Sequence, residues 1–210
     1  HALKGSFWQE QHQVETFHDA TGTYHKVLKE VLPENVHINH FIIDEQEFVG
    51  RITTINDETV TLIDLPKELL MQQQAWGLKP QNIIQALALN LLLDPNIHLV
   101  SLTGQAGSGK TILALAAAIE MTVANKQFKR IIATRSTRGL DEDIGYLPGT
   151  EAEKMEPWLG AITDNLEALH SDDENAPSSV DYILQKVPLQ FKSLNYIRGR
   201  SFQQSLILID

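Results

Sequence analysis

Residues 101–121 read SLTGQAGSGKTILALAAAIEM, and no other stretch restricts the chain so sharply. An apolar run turns abruptly into glycines, then a lysine and a threonine, then an alanine-rich segment with helical spacing. Gly104, Gly109, Lys110 and Thr111 satisfy the pattern G-x-x-x-x-G-K-[ST], with Gln105, Ala106, Gly107 and Ser108 filling the loop. Glycines without a Cβ let the backbone curl so that N–H groups point inward, where they meet phosphate oxygens. The following helix adds the positive end of its dipole. Lys110 is expected to bridge the outer phosphates of ATP, and the Thr111 hydroxyl to bind Mg²⁺. The bland alternative is a surface turn that happens to carry a lysine. An apolar strand before the loop and a helix after it favour the phosphate reading.

A second part of such a site is visible at SLILID, where four apolar residues lead to Asp210. In phosphate-loop proteins a carboxylate at this strand end holds the metal. The next residue, often a glutamate, orients the attacking water there. The sequence does not show it, so nucleotide binding is expected of this chain and hydrolysis is left open. Gln85 lies 25 residues before Lys110. Its amide could read both N6 and N7 of adenine, with Trp76 or Leu78 packed against the base. Gln81 is the rival for that role.

Strand and helix signals alternate from about residue 80 onward. IIQALALNLLLD has helical spacing after Pro80 and Asn82, and Pro95 ends it. IHLVSLTG reads as a strand buried on both faces of a parallel sheet. KRIIATRS, VPLQFKSL and SLILID read as further strands. GTEAEKMEPWLGAITDNLEALH reads as helix and SDDENAPSS as loop. Nearer the start, VHINHFIID, EFVGRITTIND and TVTLIDLP are β-rich runs separated by turn residues. The expected fold is therefore α/β: a mainly parallel sheet preceded by a small antiparallel β-module. The expected divisions are a polar, solvated segment 1–35 that closes an upstream region, the β-module 36–66, and a domain 67–210 that stops at the metal-binding aspartate.

Composition narrows the function classes. The net charge of −10 argues against indiscriminate nucleic-acid binding, so any such role must rest on a local basic patch. Without cysteine there is no disulfide, thiolate metal site or cysteine nucleophile, which fits a reducing cytoplasm. The run 83–102 is broken by Asn90, Asp94, Pro95 and Asn96, so no membrane span is expected. His1, His12, His18, His25 and His37 lack metal-ligand spacing.

Taken together, these residues resemble the PhoH-like ATPase family over about 76–210. GQAGSGKT is similar to that family's phosphate loop, TRSTRGLDEDIGYLPGTEAEKMEPWL is the most specific stretch, and YIRGRSF before SLILID is a further mark. The family often has proline after its threonine–arginine pair, where this chain has Ser136. The resemblance implies a RecA-like P-loop NTPase related to superfamily 1 helicases, ATP hydrolysis with Mg²⁺, and a homo-oligomeric ring, a hexamer by resemblance. GSFW and the β-module resemble the connector of proteins that fuse a PIN ribonuclease to this ATPase, although no nuclease site is visible in this chain.

Arg135, Arg138, Arg198 and Arg200 are expected to flank strand ends near the nucleotide. Three roles stay open for them. One of Arg198 and Arg200 could neutralise charge on a neighbouring subunit's nucleotide. Others could bind RNA phosphates, or all could pair with Asp141, Glu142 and Asp143. Lys126–Arg130 reads as a helix-end cap, with nucleic-acid contact as the lesser alternative, and Glu151, Glu153, Lys154 and Glu156 as a solvated first turn. The expected function is an ATPase coupled to single-stranded RNA. The alternatives are a nucleotide-gated assembly module and a small-metabolite kinase, for which the acidic loop SDDENAPSS makes a poor lid.

Overall fold

A computed structural model of the chain describes residues 13–44, 47–134, 185–192 and 194–210. It contains an antiparallel sheet and a parallel sheet, which belong to two compact units. The first unit comprises residues 1–72 and 81–87, the second residues 73–80 and 88–210.

The first unit is built on five antiparallel strands: β1 (Gln13–Asp19), β2 (Gly22–Leu28), β3 (Phe41–Ile43), β4 (Val49–Ile55) and β5 (Thr59–Asp64). Their order across the sheet is β1-β2-β5-β4-β3. Period-two alternation places Val27, Ile42, Ile52, Val60 and Leu62 in one fully buried cluster. The turn residues Asn56–Glu58 connect β4 to β5, closed by the Asn56 N–H donating to the Thr59 carbonyl at 2.8 Å. Phe41, Ile43 and Val49 pack with Leu65, helix α1 (Lys67–Gln72) and the first residues of helix α2 (Ile83–Leu92).

This module is larger than the one expected at 36–66. The hairpin β1–β2 falls in the stretch read as polar and solvated. Its register pairs Phe17 with Tyr24 and Thr16 with His25. The Phe17 and Tyr24 rings stack with centroids 5.2 Å apart. His25 shares hydrogen bonds with Thr16 Oγ1 at 3.1 Å and with Asp64 Oδ2 at 3.0 Å, so polar side chains tie β1, β2 and β5 together. The signal for the turn was present in Asp19-Ala20-Thr21-Gly22: Asp19 Oδ1 accepts from the backbone N–H groups of Thr21 and Gly22.

The second unit has the parallel sheet, β6 (Arg130–Thr134), β7 (Leu189–Phe191) and β8 (Ser205–Ile209), in the order β7-β6-β8. Helix α3 (Lys110–Ile119) presents two apolar stripes. Leu115, Ala118 and Ile119 pack with Ile131 and Ala133 of the sheet. Leu113, Ala116 and Ala117 meet Ala75 and Leu89. The alanines allow close approach on both sides. α3 continues into a π-helical turn over Glu120–Ala124, where the Thr122 hydroxyl donates to the Ala118 carbonyl at 2.7 Å. A short helix α4 (Leu194–Ile197) precedes β8.

One expected strand is not formed. Residues 97–103 join no ladder among the described residues, and Leu99 is 87% exposed. A strand exists through its hydrogen-bonded neighbours, and apolar sequence alone does not supply them. The expected helix over 149–170 and the SDDENAPSS loop lie outside the described residues.

The two backbone bonds and the Thr21 hydroxyl hold the Asp19 carboxyl below its usual value, with the side-chain bond from Thr21 first. A lowered carboxylate pKa contributes to folding above the unfolded value of about 3.9, and that contribution is lost as pH falls through the lower folded value. The amide proton shifts of Thr21 and Gly22 should therefore stay constant down to about pH 4 and move only below it. Asp19→Ala should shift both at neutral pH. Unchanged shifts in the variant would contradict this account of the turn.

Candidate nucleotide site

The loop 104–109 joins the extended run 97–103 to α3. Gly109 caps the helix with φ 83° and ψ 15°, and Gly107 has φ 78°; both are left-handed conformations that a Cβ resists. A Cβ on Gly107 would meet nothing within 4 Å, so the cradle is open on that side. No side chain caps the first turn of α3. The Leu113 N–H donates to the Gly109 carbonyl at 3.0 Å, which leaves the N–H groups of Lys110, Thr111 and Ile112 without partners inside the helix. Such uncapped donors at an exposed helix start suit an anion.

The Lys110 ammonium folds back on its own loop. It donates to the carbonyls of Gly104 at 2.9 Å and Gln105 at 2.6 Å, and to Ser108 Oγ at 3.2 Å. Ser108 Oγ in turn donates to the Gln105 carbonyl at 2.8 Å. All three ammonium donors are used, and they sit where an arriving phosphate would compete for them. Ala106 contributes only backbone, within the turn.

Asp210 joins this loop from 99 residues away. The Thr111 hydroxyl donates to Asp210 Oδ1 at 2.7 Å. The Asp210 N–H donates to the Thr134 carbonyl at 3.0 Å, extending the β6–β8 ladder by one residue. Alternation from Leu206 and Leu208, which pack with the α3 side of the sheet, directs Asp210 toward the start of α3. A hydroxyl and a carboxylate in contact are hard oxygen donors of the kind Mg²⁺ takes, so these residues fit the metal expected there.

The other predicted residues are placed differently. Gln85 Oε1 accepts from the Gln81 N–H at 2.8 Å, and the Gln85 N–H donates to Asn82 Oδ1 at 2.9 Å. Together they close the first turn of α2 as a capping box does. The expected base-stacking residues are partly buried against apolar clusters instead. The Trp76 N–H donates to Glu120 Oε2 at 3.0 Å. That glutamate lies ten residues beyond Lys110, about 15 Å along the helix at 1.5 Å per residue. Leu78 packs with the cluster of Ala75, Leu89 and Leu113. Arg198 and Arg200 precede β8, and the Arg200 guanidinium carbon lies 4.0 Å from the Tyr196 ring centroid. Arg135, Arg138, Asp141, Glu142, Asp143 and the charged turn at 151–156 lie outside the described residues. The oxygen cage around Lys110 was not foreseen, because carbonyl oxygens leave no mark in a sequence.

A family profile described as "PhoH-like protein" matches residues 77–210. The chain belongs to the PhoH-like protein family. It is 38% identical over 173 residues to "Protein PhoH2" of Bacillus subtilis, covering 82% of this chain and 39% of that protein. It is 36% identical over 163 residues to "Protein PhoH2" of Thermobispora bispora, covering 77% of this chain and 34% of that one. With "Protein PhoH" of Escherichia coli it shares 34% identity over 115 residues, 54% of this chain and 31% of that protein. The chain thus spans two fifths or less of the length of these relatives. The Bacillus alignment is longer than the stretch matched by the PhoH-like profile, so that likeness extends into residues before 77. PhoH-like proteins are nucleotide-binding P-loop proteins of ATPase type, and the lysine loop lies within the matched residues.

Replacing Lys110 by alanine should weaken binding of a fluorescent ATP analogue by at least about thirtyfold, the equivalent of ~2 kcal/mol of charge-assisted bonding. Far-UV circular dichroism should be unchanged, because the Lys110 side chain is not part of the apolar clusters. A variant that binds as tightly as the parent would show that the loop does not hold the nucleotide.

Proposed function

We propose that this chain is the Mg²⁺-dependent ATP-binding and hydrolysing part of a PhoH-like protein that couples ATP turnover to RNA unwinding or processing. The contact between Thr111 and Asp210 carries the reading. Two residues 99 positions apart meet beside a lysine loop at a helix start, which an accidental glycine-rich turn does not explain.

In this reading the backbone N–H groups from Gly107 to Thr111 surround the phosphates, and Lys110 exchanges its carbonyl partners for phosphate oxygens. Thr111 and Asp210 hold Mg²⁺, which when bound neutralises phosphate charge and orients the terminal phosphoryl group. Gln85 remains the candidate for reading the adenine, with its carbonyl serving the α2 cap. The parallel sheet forms the centre of a RecA-like domain, and the chain works in the cytoplasm as a homo-oligomeric ring. Arg198 and Arg200 remain candidates either for a charge delivered to a neighbouring subunit or for contact with RNA. No helix among the described residues is long and apolar enough to cross a membrane. The acidic net charge favours one second reading, a nucleotide-gated assembly module without work on RNA.

ATP turnover by the complete protein should need Mg²⁺ and rise several-fold with single-stranded RNA at low salt. Thr111→Ala should shrink the difference in nucleotide affinity measured with and without Mg²⁺. ATPase activity unaffected by RNA at low salt would favour the assembly module, and turnover indifferent to Mg²⁺ would remove the metal role.

A further inference from the structure

Two acid-free stretches of this acidic chain concentrate its basic residues. Residues 121–140 and 182–209 contain no Asp or Glu, yet carry nine of the seventeen Lys and Arg residues. The structure brings described parts of both together where β6 and β8 begin, while Lys192 follows the carboxyl end of β7, its N–H donating to the Ala133 carbonyl at 2.9 Å. The Lys129 N–H donates to the Gln204 carbonyl at 2.7 Å. Arg130 Nε donates to Ser205 Oγ at 2.8 Å, and its guanidinium lies 5.7 Å from the Phe202 ring centroid. Phe202 is 6.4 Å from Tyr196, whose ring also carries Arg200 at 4.0 Å and Lys192 at 4.9 Å.

The chemistry of this ledge differs from that of an ordinary solvated basic surface. A guanidinium held by a carboxylate has its charge cancelled and its donors consumed. One held over an aromatic face keeps its charge and its in-plane N–H groups. Arg198 and Arg200 are exposed and form no ion pair among the described residues. Lys126 and Lys129 are exposed on the adjoining loop. Cations interleaved with aromatic rings, with no acid on either segment, match what a single-stranded polynucleotide needs: a positive track for its phosphates and rings beside its bases. The strands separate the ledge from the nucleotide end. Arg130 and Thr134 bound β6, which spans about 13 Å at 3.3 Å per residue.

We propose that this ledge, on Lys126–Arg130 and Tyr196–Phe202, holds the backbone of single-stranded RNA at the end of the sheet opposite the phosphate loop. The proposal rests on the RNA-coupled reading and gives it a surface. On this placement Arg198 and Arg200 serve RNA phosphates rather than a neighbouring subunit's nucleotide.

The test measures anisotropy of a labelled single-stranded RNA and binding of a fluorescent ATP analogue in parallel, over a series of salt concentrations, on the full chain. Lys126→Glu with Lys129→Glu should weaken RNA binding at least tenfold. It should also reduce the slope of log affinity against log salt by about 1.4, the effect of two lost phosphate contacts at about 0.7 each. ATP-analogue binding should not change. Tyr196→Ala should weaken RNA binding and Tyr196→Phe, which keeps the ring, should restore it. RNA binding that survives the double reversal with its slope intact overturns the ledge and leaves RNA coupling standing. A parent chain that binds the ATP analogue but no RNA overturns both. Displacement of RNA by polyglutamate at equal charge concentration would assign the ledge to an acidic protein partner instead.

Discussion

The Lys110 ammonium is satisfied by oxygens of its own loop, and much of the structure serves that arrangement. Two carbonyls and a hydroxyl take its three protons. These partners carry only partial charge, whereas phosphate oxygens carry formal charge and bind a cation more strongly. In the proposed reading, nucleotide binding is therefore an exchange of partners. The lysine does not pay to be ordered when the phosphate arrives, because the loop already orders it. The left-handed glycines at 107 and 109 make the loop tight enough for a side chain six residues on to reach Gly104.

The sheet places the second half of the site. Strand β8 runs parallel to β6, with Ile209 opposite Thr134. One further backbone bond, from Asp210 to Thr134, carries the carboxylate to the level of Thr111. α3 is held against this sheet by Leu115, Ala118 and Ile119, so the start of the helix and the end of the strand are fixed by the same apolar cluster. Burial along α3 thus sets the Thr111–Asp210 hydrogen bond at the exposed loop. The other ends of β6 and β8 carry the cation–aromatic ledge formed by Arg130 and Phe202.

How much of this was legible follows from which contacts are local. The phosphate loop, α2, α3 and the three parallel strands were readable, because glycine spacing and apolar periodicity report on a few neighbouring residues. Asp210 was readable as a strand-end carboxylate, although its bond to Thr111 was not. The sequence of the β1–β2 hairpin carries little apolar alternation: Thr16 and His25 bond to each other across it, and Val27 is its one fully buried apolar side chain among the described residues. The run 97–103 was over-read: its apolar content suggested a buried strand, yet a ladder needs partners that local pattern does not reveal. Trp76 was placed near the base by proximity in sequence, whereas the Glu120 carboxylate holds its backbone at the far end of α3. Lys126–Arg130 was read as a helix cap, and its meeting with Phe202 and Ser205 depends on strand pairing across some seventy residues.

A crystal structure of the chain with Mg²⁺ and a non-hydrolysable ATP analogue tests the central claim most directly. The account predicts that Lys110 Nζ leaves the carbonyls of Gly104 and Gln105 for phosphate oxygens, with the metal seated between Thr111 and Asp210. Phosphates bound elsewhere, with Lys110 still on its own carbonyls, would contradict it.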